Sequence, residues 1–183
     1  MTKINNESIV IIKALPDDAE AIMTIKRDAW LGAYTNEELD ITAEDIRKKL
    51  SDDMMPTAIQ NWRRGIASEK DGGNRATFVA RINGEVVGCT SPHTQDGQKR
   101  VGALYVSPDV QGKGIGSKLL TKALKWHGPE HDIYLLVVSY DHNAISLYKH
   151  FGFQETGVEI PGELNRGQGI KLLPEIEMVL KAS

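Results

Sequence analysis

Residues 106–117 read Val106-Ser107-Pro108-Asp109-Val110-Gln111-Gly112-Lys113-Gly114-Ile115-Gly116-Ser117, an apolar strand end joined to a helix start through three alternating glycines. Glycine permits positive φ and lets another molecule come close to the main chain. The first amides of a helix have no partner inside it, and the helix dipole adds positive potential there, so such a turn suits phosphate oxygens. A glycine-rich connection that binds nothing fits the same letters, and the run alone leaves both readings open. Two other phosphate motifs fit worse. A Walker A loop needs Ser or Thr after Gly-Lys, and here Gly114 follows Gly112-Lys113. A dinucleotide fingerprint begun at Gly112 needs a third glycine where Ser117 stands.

The other reactive side chains offer less. Cys89 lies in the apolar run Val86-Val87-Gly88-Cys89-Thr90 with no neighbouring histidine, the setting of a packing thiol. His127-Gly128-Pro129-Glu130-His131 spells a zinc-peptidase pattern, but Gly128-Pro129 breaks the helix that must put both histidines on one face, so no metal is expected. No Gly-x-Ser-x-Gly elbow occurs. Trp30 and Tyr34, one helical turn apart, present aromatic faces that hold cationic amines or simply pack. Acidic residues including Asp17, Asp18, Glu37, Asp40, Glu44 and Asp45 crowd the first quarter, an arrangement that attracts amines but more often makes a solvated face.

The elements that carry these residues follow from periodicity and punctuation. A strand is expected at 8–13, then a helix opened by Pro16-Asp17-Asp18 with Ile22, Ile25, Ala29 and Ala33 on one stripe and Met23, Trp30 and Tyr34 beside it. A further helical stretch holds Asp45, Ile46, Leu50, Ile59 and Trp62, with Pro56 interrupting it or starting a turn. Strands at 77–82 and 85–90 around Asn83-Gly84 make a hairpin, and the polar segment 91–99 reads as a turn-rich connection to a strand at 101–106. A helix at 117–127 is long enough to cross over to a parallel strand at 133–138, whose continuous apolar run marks cover on both faces. A short helix striped by Ala144, Leu147, Tyr148 and Phe151 ends at Gly152, and strands near 153–158 and 176–180 follow.

With 183 residues, 40% of them hydrophobic and 26% charged, the chain suits one folded domain over 1–183. Net charge −3 removes the electrostatic basis for strong nucleic-acid or anionic-membrane binding. Nowhere do eighteen apolar residues run together, and the start of the chain has no signal-like apolar region, so no membrane association is expected. One cysteine allows no internal disulfide and fits a reducing cytoplasm, where the glycosylation-like Asn6-Glu7-Ser8 has no meaning. Antiparallel strands first and a helical crossover later predict an α+β (mixed α/β) fold with helices on both faces of one sheet.

Gln111-Gly112-Lys113-Gly114-Ile115-Gly116, preceded by Leu104-Tyr105-Val106, resembles motif A of the GCN5-related N-acetyltransferase (GNAT) superfamily. A second run, Asp141-His142-Asn143-Ala144-Ile145-Ser146-Leu147-Tyr148 ending in Gly152-Phe153, is similar to that family's Asn-x-x-Ala-x-x-x-Tyr motif. The strong resemblance spans about 77–157. It implies a three-layer fold with a mostly antiparallel sheet of about six to seven strands and a central splayed parallel pair. It also implies acetyl-CoA as co-substrate, held by Leu104, Tyr105, Val106 and residues 111–117, that is Gln111, Gly112, Lys113, Gly114, Ile115, Gly116 and Ser117. The family's Asn falls on Asp141, with Asn143 two positions on. An Asn amide both donates and accepts hydrogen bonds whereas ionised Asp only accepts, so either residue is a candidate for pantetheine.

The resemblance implies acetyl transfer to a primary amine, a small amine or polyamine first, with a peptide or protein amine or a non-catalytic acyl-CoA sensor as alternatives; a homodimer stays open. It makes Tyr148 the acid for the leaving thiolate and places Trp30 and Tyr34 in the acceptor pocket. Many relatives carry a Glu on the strand before motif A. Arg100-Val101-Gly102-Ala103-Leu104-Tyr105 offers no carboxylate, which leaves the base to a water relay or an acid from elsewhere, with His93 as an exposed, weaker alternative.

Overall fold

The computed structural model describes residues 8–51, 55–164 and 171–183; of the glycosylation-like triplet, Asn6 and Glu7 lie outside them. The described strands are β1 (Val10–Lys13), β2 (Phe78–Ile82), β3 (Glu85–Gln95), β4 (Gln98–Val106), β5 (Ile133–Val138), β6 (Gln154–Glu163) and β7 (Leu172–Leu180). They form one sheet in the order β1-β2-β3-β4-β5-β7-β6. Every neighbouring pair runs antiparallel except β4 and β5.

Helices cover both faces. On one lie α1 (Ala19–Ala33), α2 (Ala43–Leu50) and α3 (Pro56–Ala67); on the other lie α4 (Ile115–His127) and α5 (His142–His150). Ile22 of α1 and Ile66 of α3 pack on Val79 and Cys89, and Ile46 and Leu50 of α2 on Val138 and Leu173. Across the sheet, Leu120 and Ala123 of α4 and Ile145 and Tyr148 of α5 pack on Val101, Leu135, Val137 and Met178. The stretch that Pro56 divides is two helices. Thr42 and Asp45 close a capping box at the start of α2 (Asp45 N to Thr42 Oγ1 3.2 Å), and Pro56 opens α3, where its missing N–H costs nothing.

The segment 91–99 is a correction: it is not a polar connection but the far half of a long hairpin, with β3 running to Gln95 and β4 starting at Gln98. Asp96 (φ 50°) and Gly97 (φ 77°) make the two-residue turn with positive φ at both positions that matches strand twist. Polar composition hid this hairpin, because an exposed strand end needs no apolar face. β6 and β7 are likewise longer than the expected 153–158 and 176–180.

Two irregularities shape the centre. Thr90 pairs with Leu104 but Pro92 with Val101, so β4 carries one extra residue at Gly102–Ala103. Such a bulge bends its strand and increases its twist. The parallel ladder between β4 and β5 consists of Lys99 with Ile133 and Arg100 with Tyr134 and stops there. Beyond it the strands part as a fork, as the family resemblance implied. His127 and Lys99 pin its base: His127 Nε2 donates to Arg100 O at 2.9 Å and Lys99 Nζ to His127 O at 2.6 Å.

Candidate functional site

One arm of the fork leads into the glycine turn. After Val106 a single 3-10 turn (Pro108–Val110) delivers the chain to Gly112 (φ 78°) and Gly114 (φ 75°), and α4 begins at Ile115. An L-residue is disfavoured at both angles, which explains the glycines. Gly114 is the helix N-cap with no side-chain cap, and the first intrahelical bond is Lys118 N to Gly114 O at 3.2 Å. Among the described residues the N–H groups of 112–117 find no main-chain acceptor. Gln111, Gly112, Lys113 and Gly114 are exposed, and Gly116 and Ser117 half-buried. An open arc of amides at the positive end of a thirteen-residue helix fits a diphosphate.

The remaining side chains here brace the arc. Ile115 is buried beneath the sheet with Leu119, so it can offer only its amide. Gln111 Nε2 donates back to Val106 O at 3.2 Å and closes the turn from behind. At Gly116 a Cβ would stand 3.3 Å from Leu147 Cδ2, so glycine lets α4 approach α5. Leu104 and Val106 pack their side chains on α4 and leave main chain for a ligand in the fork.

The second motif sits at the other arm. Asp141 caps α5, accepting from Ala144 N at 3.0 Å, while Asn143 is exposed on the first turn. Tyr148 is buried, its ring 5.9 Å from Phe153, and its hydroxyl has no hydrogen-bond partner among the described residues. Burial, with smaller effects from Tyr105 and Asp141, raises the phenol above its ordinary value of 10, so it is fully protonated at neutral pH.

On the α1 face, Trp30 and Tyr34 meet edge-on with ring centres 5.0 Å apart, packed with Ile41, Val138 and Leu173. Lys26 Nζ already stands 5.4 Å from the centre of the Trp30 ring. Trp30 Nε1 is buried without an acceptor among the described residues. Burial first, then smaller effects from Tyr105, Asp141, Tyr148 and Glu175, raises the Tyr34 phenol. Tyr140 donates to Tyr34 O at 2.8 Å and ties this end of α1 to the residues that follow β5.

Three features escaped sequence reading. Glu175 lies across from Val138 on β7, half-buried and raised by desolvation, with no ion-pair partner among the described residues. Glu177, two positions on, pairs with Arg100 at 3.4 Å. The alternation Pro174-Glu175-Ile176-Glu177 was the available signal, since extending the strand back from 176 puts both carboxylates on one face. His93, expected to be exposed in a loop, is instead half-buried in β3 opposite Arg100.

The acidic first quarter is largely matched internally. Asp18 binds Arg81 at 2.5 Å, and Lys171 binds both Asp40 at 3.1 Å and Asp45 at 2.8 Å. The Cys89 thiol is buried and pushed up to about 12 by that burial, a packing group as expected. No helix among the described residues is long and apolar enough to cross a membrane.

Residues 73–155 match the family model of the acetyltransferase (GNAT) domain. An uncharacterised N-acetyltransferase of Methanocaldococcus jannaschii is 32% identical over 90 residues, a match that spans 44% of this chain and 40% of that relative. The PaiA N-acetyltransferase of Thermoplasma acidophilum, solved in complex with coenzyme A, superposes with a TM-score of 0.71 at 20% identity, covering 95% of this chain and 99% of that one. YncA of Salmonella typhimurium, solved with its cofactor acetyl-CoA, does so with a TM-score of 0.60 at 23% identity over 96% of this chain and 94% of that one. The segment that the family model matches, somewhat under half of the chain, holds both arms of the fork, the glycine turn and α5, and it is this segment that is similar to the acetyltransferase (GNAT) domain.

Proposed function

We propose that this chain transfers the acetyl group of acetyl-CoA to the primary amine of a small molecule, a polyamine being the leading case. The observation that supports it most is the continuity of the unpartnered amides of 112–117 with the open edge of β4 beyond Arg100. The arc takes the diphosphate, and the edge takes pantetheine through Leu104, Tyr105 and Val106 as a strand would. Asp141, occupied as a cap, leaves Asn143 the better placed of the two for the pantetheine amides.

Bound acetyl-CoA supplies the thioester. An N–H of the bulged stretch of β4 stabilises the carbonyl oxygen as it becomes anionic, an effect worth about 3 kcal/mol per donor. Tyr148, protonated and without a partner, gives its proton to the departing sulfur. Trp30 and Tyr34 line the acceptor side, and the half-buried Glu175 beyond them favours a cationic substrate. A cleft of about 690 Å³ where the β4–β5 ladder ends has the size of small-molecule sites.

The test is a screen of polyamines, arylalkylamines, amino acids and peptide amines at saturating acetyl-CoA, read by thiol release and product mass. Acetyl-CoA at 100 times Kd stabilises the fold by about 2.7 kcal/mol. No melting shift and no product from any amine would overturn the proposal.

A further inference from the structure

Where the β4–β5 ladder ends, the cleft passes between residues of both sheet faces: Val101 and Leu135 belong to the α5 side, Arg100 and Leu136 to the other. His93 lines it from β3. The imidazole lies directly on Gly102, the bulged residue: a Cβ there would stand 2.6 Å from His93 Cε1 and 2.8 Å from Nδ1. Glycine is thus needed at 102 so that the ring can reach the point where β4 leaves β5. His93 Nδ1 is 3.4 Å from Ser91 O, an atom that only accepts, and the tautomer that satisfies this contact carries its hydrogen on Nδ1 and keeps a lone pair on Nε2. Nε2 has no partner among the described residues.

We infer that His93 is the general base that takes the proton from the acceptor nitrogen, the role for which β4 offers no carboxylate. This rests on the amine-transfer reading above. The ammonium form first releases one proton to solvent; the lone pair then forms the C–N bond as the carbonyl π pair moves to oxygen, and return of that pair breaks the C–S bond, whose electron pair leaves on sulfur. The remaining extra proton on nitrogen passes to His93 Nε2, and sulfur takes one from Tyr148.

The surroundings keep the ring neutral. Burial lowers its pKa below 6.5, the bond to Ser91 O opposes this, and Arg75 and Arg100 lower it further. Arg75 faces it across an isolated bridge and Arg100 across β4, the latter with Glu177 as counter-charge; Asp96 stands at the hairpin turn and His127 behind, at the end of α4. Protonation removes the base, so kcat/KM, which already falls with pH as the free amine is lost, falls more steeply as pH drops through a value below 6.5.

The experiment uses the full chain with acetyl-CoA and two probe acceptors, spermidine and 2-phenylethylamine. In His93→Gln, kcat/KM is expected to fall about 100-fold at pH 7.5 and to lose the added limb below 6.5 while keeping the slope set by the amine, and acetyl-CoA affinity and melting temperature hold. Gly102→Ala keeps the histidine but displaces its ring, and should lower kcat/KM and also shift the His93 titration, which a change confined to the β4 amides would not do. Glu175→Gln should act on acceptor KM and leave the limb in place. Independently of turnover, the His93 imidazole followed by NMR should titrate below 6.5. A midpoint at or above 6.5, or a limb that survives His93→Gln and disappears in Glu175→Gln, overturns the assignment. Wild-type protein that binds acetyl-CoA yet acetylates neither probe nor any screened amine overturns the amine-transfer reading instead.

Discussion

In the glycine turn the groups offered to a ligand are main-chain amides of 112–117, held by two left-handed glycines and by Ile115 and Leu119 in the core beneath. Where the β4–β5 ladder ends they are side chains of His93 and Arg100, with Glu177 paired to Arg100 and Glu175 farther along, brought from β3, β4 and β7. The first set is contiguous in the chain and fixed by backbone angles. The second depends on register across three strands and on a one-residue bulge. A region of the first kind can stay constant while the second changes partner, which is the division expected when one donor serves many acceptors.

The sharpest way to break this contrast is to spoil the backbone of the turn alone. Gly114→Val forces a β-branched residue to φ 75° and turns the amide arc away from its ligand. Two charge-assisted hydrogen bonds lost cost about 4 kcal/mol, so acetyl-CoA Kd should rise about 1,000-fold by calorimetry. Acceptor preference among whatever turnover remains should not change. A Kd within threefold of wild type would take the turn out of the coenzyme site.

Tyr148→Phe separates chemistry from binding. The hydroxyl makes no hydrogen bond among the described residues, so its removal leaves nothing buried and unsatisfied. Stability should move by less than about 1 kcal/mol, acetyl-CoA affinity should hold, and kcat should fall about 100-fold. Intact kcat makes Tyr148 a packing residue. Trp30→Ala probes the opposite end with a smaller kinetic effect. Acceptor KM should rise about tenfold, equal to 1.4 kcal/mol, with acetyl-CoA KM nearly constant, while the truncated core loses about 3 kcal/mol by denaturant melts. Unchanged acceptor kinetics in the folded variant removes Trp30 from the pocket.

The same contrast explains how much of the fold and site is legible in the sequence. The glycine spacing, the Ile133–Val138 run and the crossover helix are local signals, and each lies where it was expected. The fork is foreshadowed only through likeness, because nothing in Gly102-Ala103 announces an extra residue until β3 is laid beside it. His93 was misjudged because a polar strand end looks like a loop. Its ring reaches the cleft through a contact with Gly102, nine residues away in sequence and on the next strand. Glu175 falls just before the strand expected at 176–180, and only extending that strand backward puts it on the face of Glu177.

Asp141 stands between the two regions and tests the family departure with the smallest expected effect. Its carboxylate accepts from Ala144 N at 3.0 Å, so Asp141→Ala removes a cap and should cost about 1 kcal/mol, whereas Asn caps as well as Asp and should cost almost nothing. If the carboxylate only starts α5, Asp141→Asn leaves melting temperature and acetyl-CoA Kd alike unchanged, and Asn143→Ala weakens acetyl-CoA several-fold without unfolding, since Asn143 is exposed. If Asp141→Asn keeps the melting temperature but shifts acetyl-CoA Kd by more than threefold in either direction, the group touches pantetheine. A gain would mean that the amide restores a donor the carboxylate cannot supply; a loss would mean that the charge itself is used.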